Sequence, residues 1–453
     1  MSERIAWDIE AAGSPAGGAG RPASGRAGQR ARTRGFAALA LALCAALAPA
    51  ACGGGGSGPQ QVPLSARQTI VFAVQGGISA SLGSEGRATG QEIAAFEKAH
   101  PNITVQVLPL SEDVNTSYQQ VTQRFLAGSS TPDLVDSDSS WPAAFARAQW
   151  ITPLTHFGLD PAAFLPGAVA ATTYQGQLYA AYWYYNVEGL YYRTGLVHSP
   201  PTTPQALVAD AQQALRKDPS LREGLAFEGN KYEGLVTVFI DFLGAFGGKL
   251  DPANLDTPAN LKALQFLHDV VYADHIAPQA VTSWTEQNVQ DAFVSGQAAF
   301  ATNWPYLLGL AEAKGSSVAG QTGFIPFPSE TGKGVATLAS DVLTVNARST
   351  HLAADAALVK WLLSPAQQTA RAIESGDPPS IRAAYTRALF KSAPYFQVDE
   401  KVFAAAVPRL VSPNYHQISA DIQAMLSSVL ANSQTPAQAL KATAQQVAQL
   451  AKP

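Results

Sequence analysis

Along the first third of the chain the apolar positions change period several times, and each change marks an element. Residues 69–74, Thr-Ile-Val-Phe-Ala-Val, form an almost unbroken apolar run, as expected of a strand buried on both faces. Gly76-Gly77 breaks it. Over 88–100 the period becomes helical, with Ile93 and Phe96 on one face, and Pro101 closes it. Ile103, Val105 and Val107 then alternate as a second strand, residues 117–127 read as a helix closed by Gly128, and a third strand over 133–138 follows Pro132. Strand–helix–strand–helix–strand with short links predicts an α/β fold built on parallel βαβ units with right-handed crossovers. Such sheets hold ligands at the carboxyl ends of their strands. The first strand delivers Gln75 there and the third delivers Asp138. Beyond Trp141 come the aromatic run Tyr182-Trp183-Tyr184-Tyr185 and helical segments up to Pro453, with no internal repeat. The Ala/Gln-rich end from Ala431 predicts a surface helix.

The N-terminus has a different pattern. Arg26, Arg30, Arg32 and Arg34 precede an apolar stretch over residues 36–51, which is 16 residues long. A bilayer core needs about 20, so a basic segment, a short apolar segment and small residues read as a secretory signal. The small residues stop at Cys52, followed by Gly53-Gly54-Gly55-Gly56-Ser57-Gly58. The arrangement resembles a bacterial lipoprotein, in which the first mature residue is a lipidated cysteine, although Pro49 departs from the aliphatic residue usual there. The expected layout is a signal peptide over 1–51, then a lipidated Cys52 and a flexible tether to residue 66.

Composition narrows the function classes. The only cysteines are Cys44 and Cys52, so a mature chain starting at Cys52 has no disulfide, thiol nucleophile or thiolate metal site in its folded part. The chain has 30 Lys/Arg and 34 Asp/Glu; six and three of these precede Cys52, leaving 24 and 31, a net charge of −7. That balance argues against nucleic acid as a partner. The 402 residues from Cys52 onward suffice for two lobes with separate cores.

From Thr69 to about Tyr415 the chain resembles the extracellular solute-binding proteins of carbohydrate ABC importers, most closely the trehalose/maltose-type binding proteins. The resemblance rests on Ala94-Ala95-Phe96-Glu97-Lys98-Ala99-His100-Pro101-Asn102-Ile103, Pro132-Asp133-Leu134 and Gly189-Leu190-Tyr191-Tyr192-Arg193. It continues through Tyr232-Glu233-Gly234-Leu235, Phe246-Gly247-Gly248, Asn303-Trp304-Pro305-Tyr306 and Arg409-Leu410-Val411-Ser412-Pro413. Each stretch is short; their order and spacing carry the match. The resemblance implies a two-lobed, periplasmic-binding-protein-like (type II) fold with crossing hinge segments and a sugar held between the lobes. By that analogy one lobe is 67–182 plus 327–378 and the other is 183–326 plus 379–453. Two departures fall near the expected cleft. Ala339-Ser340-Asp341 stands where relatives often carry Gly-Gly-Trp, and Tyr118 or Gln119 stands where some carry an arginine.

A disaccharide offers many hydroxyls and two weakly apolar ring faces, so its site needs carboxylates, amides and flat aromatic rings. Asp138, Glu233 and Arg409 suit the hydroxyls, since charged partners form the stronger bonds, and Asn186 both donates and accepts. Trp304 suits stacking, with Tyr232, Trp183 and Tyr306 as second choices; Gln75 and Asp341 complete the expected substrate-binding set. Glu233 and Arg409 equally suit a structural ion pair, and Trp183 with its tyrosine neighbours suits packing between lobes. Trp141, Trp284 and Trp361 read as core.

No catalytic residues are expected. Nucleophile-elbow, Walker A and His-Glu-x-x-His motifs are missing from the sequence. The Gly53–Gly58 match to Gly-x-Gly-x-x-Gly precedes no helix. The seven histidines are scattered without ligand spacing, so neither metal nor cofactor is expected. Capture of an α-linked disaccharide such as trehalose or maltose is the leading expectation. A glycerol-phosphate-type solute, a non-transport ligand-binding lipoprotein and a sugar-cleaving enzyme are the alternatives. The expected partners are the sugar, the permease subunits of an importer and the membrane, reached through the N-terminal lipid. The protein is expected to be a monomer outside the cytoplasm, with the sugar linking the two walls as the lobes hinge shut.

Overall fold

The computed structural model describes residues 60–78, 83–165, 167–397 and 399–451. The signal segment, Cys52 and the tether up to residue 59 lie outside these residues. The first strand, β1 (Gln68–Gln75), is buried at Ile70 and from Phe72 to Val74, as its apolar run requires. Gly77 adopts φ +76°, and a Cβ there would lie 2.9 Å from Pro109 Cβ. Only glycine meets both demands at this turn. Helix α1 (Gly83–Ala99) begins five residues ahead of its predicted start, because apolar periodicity, the signal used to place it, begins only at Ala88. Strand β2 (Ile103–Leu110) follows. Helix α2 (Val114–Leu126) starts where the Asp113 carboxylate accepts the Thr116 N–H at 2.8 Å, a side-chain cap. Strand β3 (Leu134–Asp138) is buried along its whole length.

These elements form the predicted parallel unit. In the five-stranded sheet β1 lies between β2 and β3, parallel to both. Strand Asp341–Val345 adds antiparallel to β3, with Asp341 opposite Asp138, and Ala181–Tyr182 forms the far edge. The second sheet has four strands in the order Thr322–Ile325, Gly189–Arg193, Ala298–Asn303, Glu223–Ala226. Each sheet is covered by helices, giving two α/β lobes. The second core gathers Phe239, Phe242, Leu267, Ile422 and Leu426. The Ala/Gln-rich end folds as helix Pro436–Val447, opened by a reciprocal Thr435–Gln438 cap. It buries Ala439, Leu440 and Val447 against helices Tyr415–Leu430 and Pro258–Tyr272, so it contributes to the core as well as to the surface.

The chain crosses between lobes along segments that bond to one another. The Glu188 N–H donates to Thr337 O at 2.9 Å and the Ala339 N–H to Asn186 O at 3.2 Å. Packing differs from the expected partition at two edges. Residues 327–338 pack with the second lobe: Phe327 lies in its core, and the Thr337 hydroxyl donates to Asp241 at 2.6 Å. Residues 382–397, expected in the second lobe, pack on helix Pro365–Ser375 of the first through Ala372, Leu389 and Phe396.

Candidate ligand-binding cleft

The register of the first sheet gathers polar side chains at one edge. Gln75 ends β1, Asp138 ends β3, and Asp341 opens the antiparallel neighbour directly beside Asp138. Gln75 Nε2 donates to Asp341 Oδ1 at 3.0 Å, and the Tyr184 hydroxyl donates to Asp341 Oδ2. The facing wall comes from the second lobe. Helix Glu233–Ala245 presents Glu233 in its first turn, where the helix dipole favours an anion. Strand Ala298–Asn303 ends in Asn303, whose Oδ1 accepts the Trp304 N–H at 2.8 Å. The Tyr191 hydroxyl fixes the next peptide by donating to Trp304 O at 2.7 Å. Between the walls lies a cavity of about 150 Å³ lined by Val114, Asp138, Tyr184, Asn186, Tyr232, Glu233, Gly234, Thr237, Glu286, Trp304, Ala339, Ser340, Asp341 and Arg409.

Arg409 joins the two walls. Its Nη2 donates to both oxygens of Asp138, at 2.6 and 2.7 Å, and to the Ser139 hydroxyl at 2.9 Å. Its Nη1 donates to Glu233 Oε1 at 2.7 Å. Glu233 also accepts from the Tyr415 hydroxyl at 2.6 Å and from Ser419. All three charged groups are buried. The expectation that the sugar links the walls is thereby corrected: a guanidinium fork already does so in this structure. Two further contacts span the lobes. Tyr118 stacks on His416 with centroids 4.3 Å apart, and Arg147 Nη2 donates to Asn414 Oδ1 at 3.0 Å. Tyr118, one of the two candidates for the departed arginine position, is thus part of the closed interface.

Of the ten residues expected to contact substrate, Asp138, Asn186, Tyr232, Glu233, Trp304, Asp341 and Arg409 line the cavity. The other three do not. Trp183 is 1% exposed, with its ring 5.5 Å from Phe72 and the Arg371 guanidinium 4.2 Å above it. It packs in the core, while its neighbours Tyr184 and Asn186 line the cleft. Gln75 supports the wall from behind through Asp341. Tyr306 opens a short helix just past Trp304, outside the lining. The sequence reading missed Tyr184 and Glu286. Glu286 begins helix Glu286–Val294, behind a reciprocal Thr285–Asn288 cap; that cap was the available signal for a carboxylate held at a helix start.

Burial shapes the charge of the cleft. Asp341 is pushed up to about 6 by burial and by Asp138, against the opposing Tyr184 bond and Arg371. Burial likewise raises Glu286. Burial works against the charge on Arg409, but Asp138 and Glu233 more than offset it, so its cation is held. Behind the second wall burial raises Glu188, Glu228 and Asp241 well above the usual carboxylate range, and the first two also feel neighbouring carboxylates. Among the described residues no three His, Cys, Asp or Glu side chains are arranged to hold a metal ion.

Two α/β lobes joined by crossing segments around a polar, aromatic-edged cleft define a binding protein of the type II periplasmic class. Residues 79–369 match the family described as bacterial extracellular solute-binding protein. The chain belongs to that family. It is 30% identical to a probable ABC transporter-binding protein of Deinococcus radiodurans, over 77% of this chain and 86% of that one. The maltose-bound structure of Thermotoga maritima MalE3 shares 30% identity, with TM-score 0.76 over 84% of this chain and 98% of that one. A Thermotoga lettingae solute-binding protein bound with α-D-tagatose shares the fold at 24% identity and TM-score 0.74, covering 85% of this chain and 100% of that one. The protein is thus an extracytoplasmic solute-binding protein and is not an enzyme. Among the described residues no helix is long and apolar enough to cross a membrane.

Proposed function

We propose that this protein captures an α-linked disaccharide such as maltose or trehalose between its lobes and presents it to the permease as a closed monomer tethered through lipidated Cys52. The observation that carries the reading is the cavity itself, with Asp138 and Asp341 on one wall and Glu233 and Trp304 on the other. Carboxylates and the Asn186 amide supply paired bonds to hydroxyls, and the Trp304 indole supplies a flat face. In this reading the substrate-binding set is Asp138, Asn186, Tyr232, Glu233, Trp304, Asp341 and Arg409. The lobes are 67–182 with 341–397 and 183–338 with 406–451.

The cavity of about 150 Å³ is half the roughly 300 Å³ at which small-molecule pockets begin. Entry of a disaccharide therefore requires the lobes to part, breaking the Arg409–Asp138 bond and the Tyr118–His416 stack. A phosphate-bearing solute calls for free positive charge, and the single cation of the lining is already bonded to two carboxylates. Calorimetric titration with maltose, trehalose, monosaccharides, polyols and glycerol phosphates tests the substrate. Saturable binding of an α-linked disaccharide is expected; binding confined to a phosphorylated polyol refutes the reading. Solution scattering with saturating sugar should give a smaller radius of gyration than the free protein.

A further inference from the structure

The cleft carries more negative charge than its own cation balances. Four carboxyl groups line it, Asp138, Glu233, Glu286 and Asp341, against one guanidinium. Arg409 is committed to Asp138 and Glu233 by bonds of 2.6–2.7 Å. Asp341 and Glu286, on opposite walls, have no ion pair to Lys, Arg or His among the described residues; the bonds to Asp341 come from the neutral groups of Gln75 and Tyr184. Arg371, the other cation near the first wall, is paired with Glu92 and Asp377 at 3.1 Å each. A concave, low-dielectric site lined by one sign of charge concentrates the opposite sign.

From this imbalance we infer that the preferred ligand is a cationic sugar, one that carries a protonated amine in place of a hydroxyl, held between Asp341 and Glu286. The inference rests on the sugar-capture reading of the same cleft. An ammonium group donates three hydrogen bonds and accepts none, which suits carboxylates that no cation among the described residues pairs with. Tyr232 and Trp304, both in the lining, add the negative faces of their rings, which attract a cation. The perturbed state of Asp341, pushed up to about 6 by burial and by Asp138, is what an arriving cation relieves. A neutral sugar must instead meet these groups in their protonated form or leave their charge uncompensated.

The test uses matched probes on the full chain: trehalose against its 2-amino-2-deoxy analogue, and glucose against glucosamine, by calorimetric titration near neutral pH. In each pair the amine is expected to bind at least about tenfold more tightly, a difference of about 1.4 kcal/mol. High salt should shrink that preference more than it shrinks neutral binding. Asp341→Asn and Glu286→Gln should each reduce the amine-to-neutral ratio, a quantity that a general loss of affinity leaves unchanged. Equal or weaker binding of both amines, with the neutral sugars bound, overturns the inference and leaves sugar capture standing. Binding of no member of either pair, while other neutral sugars bind, overturns the inference as well. Binding of no sugar of any kind removes both.

Discussion

The buried carboxyls behind the second wall make a pH dependence that can be worked out in advance. Glu188, Glu228 and Asp241 are each at most 1% exposed. Hydroxyl groups bond to two of them, Thr302 to Glu228 and Thr337 to Asp241, each at 2.6 Å. Among the described residues no ion pair reaches any of the three. Burial raises all three in the folded protein, whereas in the unfolded chain they ionise near pH 4. The folded state therefore keeps protons that the unfolded state releases. Their contribution to stability is full below the unfolded pKa and falls as pH rises, until each group ionises in the folded protein. Each group that stays protonated costs about 1.4 kcal/mol of stability per pH unit across that window. Glu188→Gln keeps the shape and removes one such titration. Urea denaturation between pH 5 and 7 is the assay. The wild type should lose stability as pH rises through this window, and Glu188→Gln should flatten the slope by about 1.4 kcal/mol per unit. A wild-type stability that is flat or rises with pH, or a variant with an unchanged slope, refutes the reasoning.

Three other outcomes can be checked separately. Asp138→Ala and Trp304→Ala should each weaken sugar binding by at least about 1.5 kcal/mol, the scale of a charged bond or a stacked ring. Near-wild-type calorimetric affinity in both would remove them from the site. Arg409→Met leaves Asp138 and Glu233 without their cation and should destabilise the closed protein by about 3–5 kcal/mol. The lower end is expected, because Tyr415, Ser419 and Ser140 still donate to these carboxylates; a loss below about 1 kcal/mol in urea titration contradicts a central role for the fork. Tyr118→Ala removes the stack on His416 without touching the cavity lining, and should weaken sugar binding by about 0.5–1.5 kcal/mol through a less populated closed state. An unchanged affinity would show that the stack does not bias closure.

The parts of the fold that were legible in the sequence are those where one period persists. The β1–α1–β2–α2–β3 unit was readable because Ile70–Val74, Ile93/Phe96 and Ile103/Val105 each repeat with the spacing of the element they form. Asp138 and Arg409 were readable as polar residues at a strand end and in a motif, but their direct bond was not, since 271 positions separate them. The aromatic run suited stacking and packing alike, and the structure uses Trp183 for packing. Trp183, Tyr185 and Val187 are buried in the core, and Tyr184 and Asn186 line the cleft. Glu286 was legible only as a carboxylate at a capped helix start; its place beside Tyr232 and Trp304 in the lining comes from tertiary packing with no local pattern. The lobe edges at 327 and 379 shifted for a related reason. The pairing of Ala336–Leu338 with Ala406–Pro408 is a long-range event with no local signature.

The crossing segments hold one another by the bonds Glu188 N–Thr337 O and Ala339 N–Asn186 O, and the same stretches present Asn186, Ala339 and Ser340 to the cavity. In the proposed closure, displacement grows with distance from the axis, so the crossing segments move less than Tyr118, His416 and Arg147, which touch across the lobes. A ligand thus meets a steadier template first and a moving cover second. Substitutions in the crossing segments should change which molecules are accepted, and substitutions at those contacts should change how long an accepted molecule is kept.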